Sequence, residues 1–214
     1  MPIIVHHTIK PEGELGIWRI EEREAWFRQR LHLQAAEALQ LASIKGRRRT
    51  EWLAARQLVH AMSGRDRREA FIKDEHGKPH LEGSDWHISI SHTRSLAAAI
   101  AAPQPVGIDI QVLVPRIDRL ARRFMRPEEL ASLQAEDRIE HLHVYWGAKE
   151  ALYKAYGRRR LDFCRNLLVQ PFSLEKKQGR IQGRIVKDDF EAAYQLQYIL
   201  EPAYVLVWAI EEKG

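Results

Sequence analysis

Cysteine is nearly absent from the chain of 214 residues: Cys164 stands alone. A single thiol excludes an internal disulfide, and no metal-type spacing of cysteine and histidine accompanies it, so a reducing compartment is the natural setting and Cys164 itself stays unassigned. Long hydrophobic runs are lacking as well. The opening Met1-Pro2-Ile3-Ile4-Val5-His6-His7 has no basic head followed by an apolar stretch, and no run elsewhere approaches the ~20 residues of a bilayer span. A cytoplasmic protein with no membrane partner is the expectation. What is present is ordinary globular composition, 45% hydrophobic, in a chain long enough for one domain or two small lobes. Disorder is therefore excluded. Net charge is +5 and the pI is about 9.4, which favours anionic partners without choosing among nucleotides, phosphorylated cofactors, nucleic acid and acidic proteins. Basic clusters stand at Arg47-Arg48-Arg49, at Arg158-Arg159-Arg160, and at Arg116, Arg119, Arg123 and Arg126. The last group is spaced 3, 4 and 3, one stripe of a helix, and a solvated face is the common reading of such a stripe.

The chain partly repeats itself. Glu51-Trp52-Leu53-Ala54-Ala55-Arg56-Gln57-Leu58 matches Tyr145-Trp146-Gly147-Ala148-Lys149-Glu150-Ala151-Leu152 with a tryptophan, an alanine and a leucine in register. Each copy reads as a helix with a glycine stop close behind, Gly64 or Gly157. Two related halves follow, with Arg56 of the first where Glu150 stands in the second. Elsewhere, Glu21 to Leu41 is helical in character and His87 to Ser91 alternates as a strand does. Gly77-Lys78-Pro79 punctuates a loop. Ser95 to Ala102 is ambiguous, its alanines favouring helix and its surroundings a buried strand. Pro103-Gln104-Pro105 is the best linker, and Pro127-Glu128-Glu129 a helix start. Alternating segments at Arg180 to Val186, Tyr194 to Ile199 and Tyr204 to Ile210 suit an antiparallel sheet. The class is α+β, helices against sheets in each half.

Two acid-bearing segments carry the chemistry. In Val106-Gly107-Ile108-Asp109-Ile110-Gln111, apolar and polar residues alternate at a strand end, one face buried and one bearing oxygen ligands. In the run from Trp146 to Lys154, Trp146, Glu150 and Lys154 share one helical face. If the strand end meets the helix, Asp109 and Glu150 converge, and paired carboxylates suit a metal-assisted transfer of a phosphate-bearing group. The plainer reading of Glu150 and Lys154 is a helix salt bridge of about 0.3–0.5 kcal/mol. Trp146 reads as a core anchor. His6, His7, His141 and His143 show no ligand pattern.

The ordered set Gly77-Lys78-Pro79, Ile88-Ser89-Ile90-Ser91-His92, Gly107-Ile108-Asp109 and Trp146-Gly147-Ala148-Lys149-Glu150-Ala151-Leu152-Tyr153-Lys154 resembles the 4'-phosphopantetheinyl transferases, specifically the larger Sfp-type class. The resemblance implies a monomer of two similar α+β lobes, each with an antiparallel sheet packed on helices, related by a pseudo-twofold axis. It implies an N-terminal lobe, residues 1–102, that binds coenzyme A phosphates, and a C-terminal lobe, 103–214, that carries the metal-binding acids and docks the carrier. It further implies transfer of the phosphopantetheine arm of coenzyme A onto a serine of an apo acyl or peptidyl carrier protein, a small acidic helical domain, with release of adenosine 3',5'-bisphosphate.

Carried over residue by residue, Asp109 and Glu150 hold Mg²⁺, Glu150 accepts the serine proton, and Lys154 faces the phosphates or the proton acceptor. Ser91, His92, Lys73, Lys78 and Arg56 match coenzyme-binding positions, with Arg49 less securely aligned. Gln111 departs from the pattern, since many relatives have a third acid there; its amide oxygen can still serve the metal but brings no charge. The arginines from Arg116 to Arg126 gain a purpose in steering the acidic carrier, with Phe124 and Met125 as an apolar contact or as core. Two other readings stand beside this one. A basic nucleic-acid-binding module would use the arginine clusters but leaves the acid pair without a task, and no nucleic-acid fold signature is present. A coenzyme A-binding relative without transfer activity would not need Asp109, Glu150 and Lys154 intact.

Overall fold

The computed structural model describes residues 3–10 and 12–212, so Met1 and Pro2 of the opening stretch lie outside the described residues. The chain divides into two compact units, Met1–Pro103 and Gln104–Gly214, parted inside Pro103-Gln104-Pro105. Its class is α+β, with one antiparallel sheet in each unit.

The first unit runs β1 (Ile3–Thr8), β2 (Glu14–Arg19), α1 (Glu24–Leu31), α2 (Ala35–Ser43), α3 (Arg48–Ser63), β3 (Phe71–Lys73), β4 (Pro79–Leu81), β5 (His87–Thr93) and β6 (Leu96–Ala102). Its sheet has the order β1-β2-β6-β5-β4-β3. The ambiguous alanine run is strand β6, buried along its whole length. Burial decides against alanine's helix propensity here, because small side chains at Ala97, Ala99 and Ala101 let the sheet pack on Leu53, Ala54 and Leu58 of α3. The helical stretch expected from Glu21 to Leu41 is broken in two, with His32 in a left-handed conformation at φ 43°. Behind the break, buried Glu37 closes a capping box on α2 and gathers Arg56, Arg68 and the Phe71 N–H.

The second unit runs β7 (Val106–Gln111), a 3-10 turn over Pro115–Leu120, α4 (Ala121–Phe124), α5 (Pro127–Ala131), α6 (Arg138–Tyr156), β8 (Leu167–Val169), β9 (Gln178–Lys187), β10 (Phe190–Glu201) and β11 (Tyr204–Glu211). The sheet order is β7-β11-β10-β9-β8, so the three alternating segments of the last third are its neighbouring strands β9, β10 and β11. Tyr145, Ala148, Ala151 and Leu152 of α6 share one core with Val205, Val207 and Ala209 of β11. Gly107 sets the distance between α6 and β7: a Cβ built on it would lie 1.8 Å from the Ala151 carbonyl oxygen. Only a residue without a side chain lets helix and strand approach this closely.

The two repeat copies lie on α3 and α6, each stopped by a left-handed glycine, Gly64 at φ 62° and Gly157 at φ 72°. The arginine row is not the single helix its spacing suggests. A 3-10 turn passes into the one-turn helix α4, which ends at extended Met125. Phe124 and Met125 belong to the core, and Arg126 is tied to Glu128 and Glu129. Arg116, Arg119, Arg122 and Arg123 are exposed.

Candidate active site

Strand β7 ends in the acid, and α6 crosses it. Asp109 is flanked by buried Ile108 and Ile110 and is itself largely buried. The Gly107–Ala151 contact brings Glu150 and Lys154 alongside. Lys154 Nζ donates to Asp109 Oδ1 at 2.8 Å and to the Ile108 carbonyl at 2.9 Å, so the lysine reaches across to the strand. Burial pushes the Glu150 carboxyl above its ordinary value; Lys154 pulls it back and the Asp109 charge adds to the rise. A half-buried carboxyl facing a second acid is disposed to take up a proton or a cation.

Gln111 closes the other side. Its Nε2 donates to Asp109 Oδ2 at 3.3 Å and to the His143 carbonyl at 3.1 Å. Its amide oxygen lies 2.8 Å from His143 Nδ1. Among the described residues, no group of three or more His, Cys, Asp or Glu side chains is arranged to hold a metal; the acids here are a pair. Lys149, next to Glu150 in sequence, is turned away into the core, where it meets Glu129 at 2.8 Å and both side chains are fully buried.

In the first unit the basic residues gather around the β3–β4 turn. Lys73 pairs with Pro79 across the hairpin, and Asp74 pins the turn by accepting from the Lys78 and His76 N–H groups, both at 2.9 Å. Against a desolvation cost, the His80 ring and these two amides hold Asp74 below its usual range. His80 faces His87 on the next strand; burial, then the charges of Lys78 and His80, push the His87 ring down. Lys73 and Lys78 bring two ammonium groups to this turn, beside the acids Asp74 and Glu75, and an ammonium suits phosphate oxygens. Further along β5, Ser91 is buried. The His92 ring is 43% exposed, with Nδ1 3.1 Å from buried Glu51, which also takes Arg47 at 2.9 Å.

Arg56 does not fit the phosphate contact expected of it. It is 2% exposed, its guanidinium lies 3.2 Å from the Trp52 ring centroid and 4.6 Å from that of Phe71, and it donates to Glu37 and to the Trp52 carbonyl. The planar fork suited to a diphosphate is buried inside the helical layer, with Nε and Nη1 bonded there. Arg49 is likewise spent on Glu24 and on the Leu41 and Ile44 carbonyls.

The chain is similar to several curated proteins. A 4'-phosphopantetheinyl transferase of Bacillus subtilis is 26% identical over 148 residues, 67% of this chain and 59% of the relative. The 4'-phosphopantetheinyl transferase Sfp of Bacillus subtilis strain 168 is 28% identical over 63% of this chain and 59% of its own. The gsp transferase of Aneurinibacillus migulanus is 28% identical over 50% of this chain and 46% of its own. Residues 105–209, which hold the acid pair, match the family model described as the 4'-phosphopantetheinyl transferase superfamily. The chain belongs to that superfamily. It spans about six-tenths of the length of the first two relatives.

For a 4'-phosphopantetheinyl transferase superfamily member, two contacts were not anticipated from the sequence. Glu51 under His92 carries no motif. His143 does carry a signal, because His143, Gly147, Glu150 and Lys154 recur at steps of 4, 3 and 4 along α6, one helical face. Gly147 belongs to the arrangement: a Cβ there would lie 2.6 Å from Val207 Cγ2 and 3.0 Å from Gln111 Nε2.

Proposed function

We propose that this chain is a magnesium-dependent 4'-phosphopantetheinyl transferase that moves the phosphopantetheine arm of coenzyme A onto a serine of an apo acyl or peptidyl carrier protein and releases adenosine 3',5'-bisphosphate. The observation that carries this reading is the meeting of Asp109 and Lys154, 2.8 Å apart, beside a Glu150 whose carboxyl is raised by burial. Two neighbouring carboxylates are an oxygen donor set that a hard divalent cation takes. Asp109 and Glu150 would hold it, with remaining oxygens from diphosphate and water; when bound, it neutralises charge on the diphosphate. Gln111 is the third candidate for this shell, directly or by orienting Asp109.

The chain's own residues do the rest. Glu150 takes the proton of the carrier serine as its Oγ bonds to the phosphorus bearing the pantetheine arm. The bond from that phosphorus to the bridging oxygen breaks, and its electron pair leaves with adenosine 3',5'-bisphosphate. Lys154, seated on Asp109 and the Ile108 carbonyl, fixes the strand-end acid and keeps an ammonium beside the reacting phosphates. Lys73, Lys78, Ser91 and His92 contact the coenzyme phosphates, which makes the first unit the coenzyme side and the second the metal and carrier side. The exposed Arg116, Arg119, Arg122 and Arg123 steer an acidic carrier. No helix among the described residues is long and apolar enough to cross a membrane; the proposal includes a monomer working in the cytoplasm.

The test is direct. Incubation with coenzyme A, Mg²⁺ and a set of apo carriers should yield the pantetheine adduct by mass spectrometry, and Asp109→Ala and Glu150→Ala should each lower the rate by about 10² or more. Near-normal turnover by either variant at saturating Mg²⁺ and coenzyme A overturns the assigned roles.

A further inference from the structure

Asp109 is gripped from two sides, and the outer group of one grip, His143, has no role so far. We propose that His143 is a positioning residue for the acid pair: it locks the Gln111 side chain so that the amide N–H faces Asp109 and the amide oxygen is withheld from the ion. This rests on the transferase reading, and within it on Asp109 holding the cation.

His143 Nε2 lies 2.9 Å from the Val114 nitrogen and 3.3 Å from the Val114 carbonyl oxygen, so that end of the ring meets both a donor and an acceptor and does not fix the tautomer. The Gln111 amide decides it: its nitrogen sits between two acceptors, Asp109 Oδ2 and the His143 carbonyl, which turns the amide oxygen towards Nδ1 and sets the ring proton there. Nδ1–H then donates to Gln111 Oε1 at 2.8 Å, and Gln111 Nε2 donates to Asp109 Oδ2 at 3.3 Å and to the His143 carbonyl at 3.1 Å. Turning the amide over would set N–H against N–H and oxygen against both a carboxylate and a carbonyl. His143 is 2% exposed, so water does not compete for these bonds. Gly147 leaves the space for the amide, since a side chain there would begin 3.0 Å from Gln111 Nε2. Lys154 donates to Asp109 Oδ1 and Gln111 to Oδ2, so the carboxylate is oriented from both sides. The protein's ligand set is thereby two carboxylates, and the amide orients one of them.

Outer partners of metal ligands typically change affinity by about 10–100-fold when removed. Mn²⁺ titration by calorimetry of the full chain without coenzyme A should show such a weakening in His143→Leu. In His143→Asn, whose amide nitrogen replaces the Nδ1 donor, most of the affinity should return. In a Gln111→Leu background, His143→Leu should add less than about twofold, because His143 acts through Gln111. Unchanged Mn²⁺ affinity in His143→Leu, or an equal loss with and without Gln111, overturns the proposal. Asp109→Ala is the separate arm: if it binds Mn²⁺ like the unaltered chain, or if the unaltered chain binds none, the metal reading falls and this inference with it. Should His143→Leu fail to fold, imidazole ¹⁵N shifts of the unaltered, metal-free protein decide. An Nδ1–H tautomer at His143 is expected, and an Nε2–H tautomer overturns the lock.

Discussion

Lys149→Met separates the part of the α6 motif that holds the fold from the part that faces the acids. Lys149 and Glu129 are fully buried and meet at 2.8 Å, and the ammonium also donates to the Phe163 carbonyl at 2.8 Å. Burial pulls the lysine down and the Glu129 charge pushes it back up. Removing one partner of a buried pair strands the other charge, at a cost of about 3–5 kcal/mol. Here Glu129 keeps the Arg126 N–H at 2.8 Å, Arg126 Nε at 3.2 Å and the Val169 N–H at 3.2 Å. Those surviving donors place the loss at the lower end, about 3 kcal/mol. In urea, with a slope of about 2 kcal/mol/M, the unfolding midpoint should fall by about 1.5 M. The variant Glu129→Gln with Lys149→Met removes both charges while the amide oxygen can still accept from the Val169 N–H and Arg126 Nε, and should recover part of the loss, since no uncompensated ion remains. A midpoint within about 0.3 M of the unaltered chain, or no recovery in the double variant, would refute the assignment.

Three further outcomes follow from named contacts. His141 is fully buried against Tyr145 and Phe172, and burial pushes it down from 6.5 to about 4. Because the unfolded chain binds this proton first, its stabilisation is complete above about pH 6.5 and disappears as pH falls towards about 4, in total about 3 kcal/mol; urea midpoints across that range should drop in the unaltered chain and flatten in His141→Leu, and equal pH dependence in both rejects it. Gly107→Ala sets a Cβ 1.8 Å from the Ala151 carbonyl oxygen and 2.9 Å from the Ala155 nitrogen, so α6 must shift off β7; a thermal scan should show a loss of about 1–3 kcal/mol or more, with transfer lowered as Glu150 moves, and a near-normal Tm would contradict the close approach. Arg119→Glu with Arg123→Glu should raise KM for an acidic carrier several-fold at low salt, with little change for coenzyme A. The difference should shrink once exposed charges are screened beyond about 8 Å, and an unchanged carrier KM at low salt would remove these arginines from docking.

Spacing made much of the fold readable. Alternation in the last third marked β9 to β11, because a strand buried on one face must repeat every second residue. The tryptophan-anchored repeat marked α3 and α6 together with their glycine stops. Ser95 to Ala102 stayed undecided because alanine carries no periodic contrast, and its state depends on what covers it. The arginine row misled for a related reason: steps of 3 and 4 describe a helix, but Pro115 opens a 3-10 turn and Met125 leaves the helix extended.

The candidate site divides in the same way. Sequence by itself determined the residue types, the family and the placing of one acid on a strand end and another on a helix face, because those follow from local periodicity and from motifs in order; that the strand meets the helix it left as a condition. Only tertiary structure decided where each charge is spent. Arg56 and Arg49, both plausible phosphate grips on paper, are consumed by Glu37 and Glu24, partners distant in sequence. Lys149 and Lys154, five residues apart on one helix, end respectively in the core on Glu129 and beside the acid pair on Asp109. His143, which no motif marked, reaches Gln111 across the gap that Gly147 leaves open. A charge's availability depends on which opposite charge packing brings within about 4 Å of it, and that distance is a property of the fold.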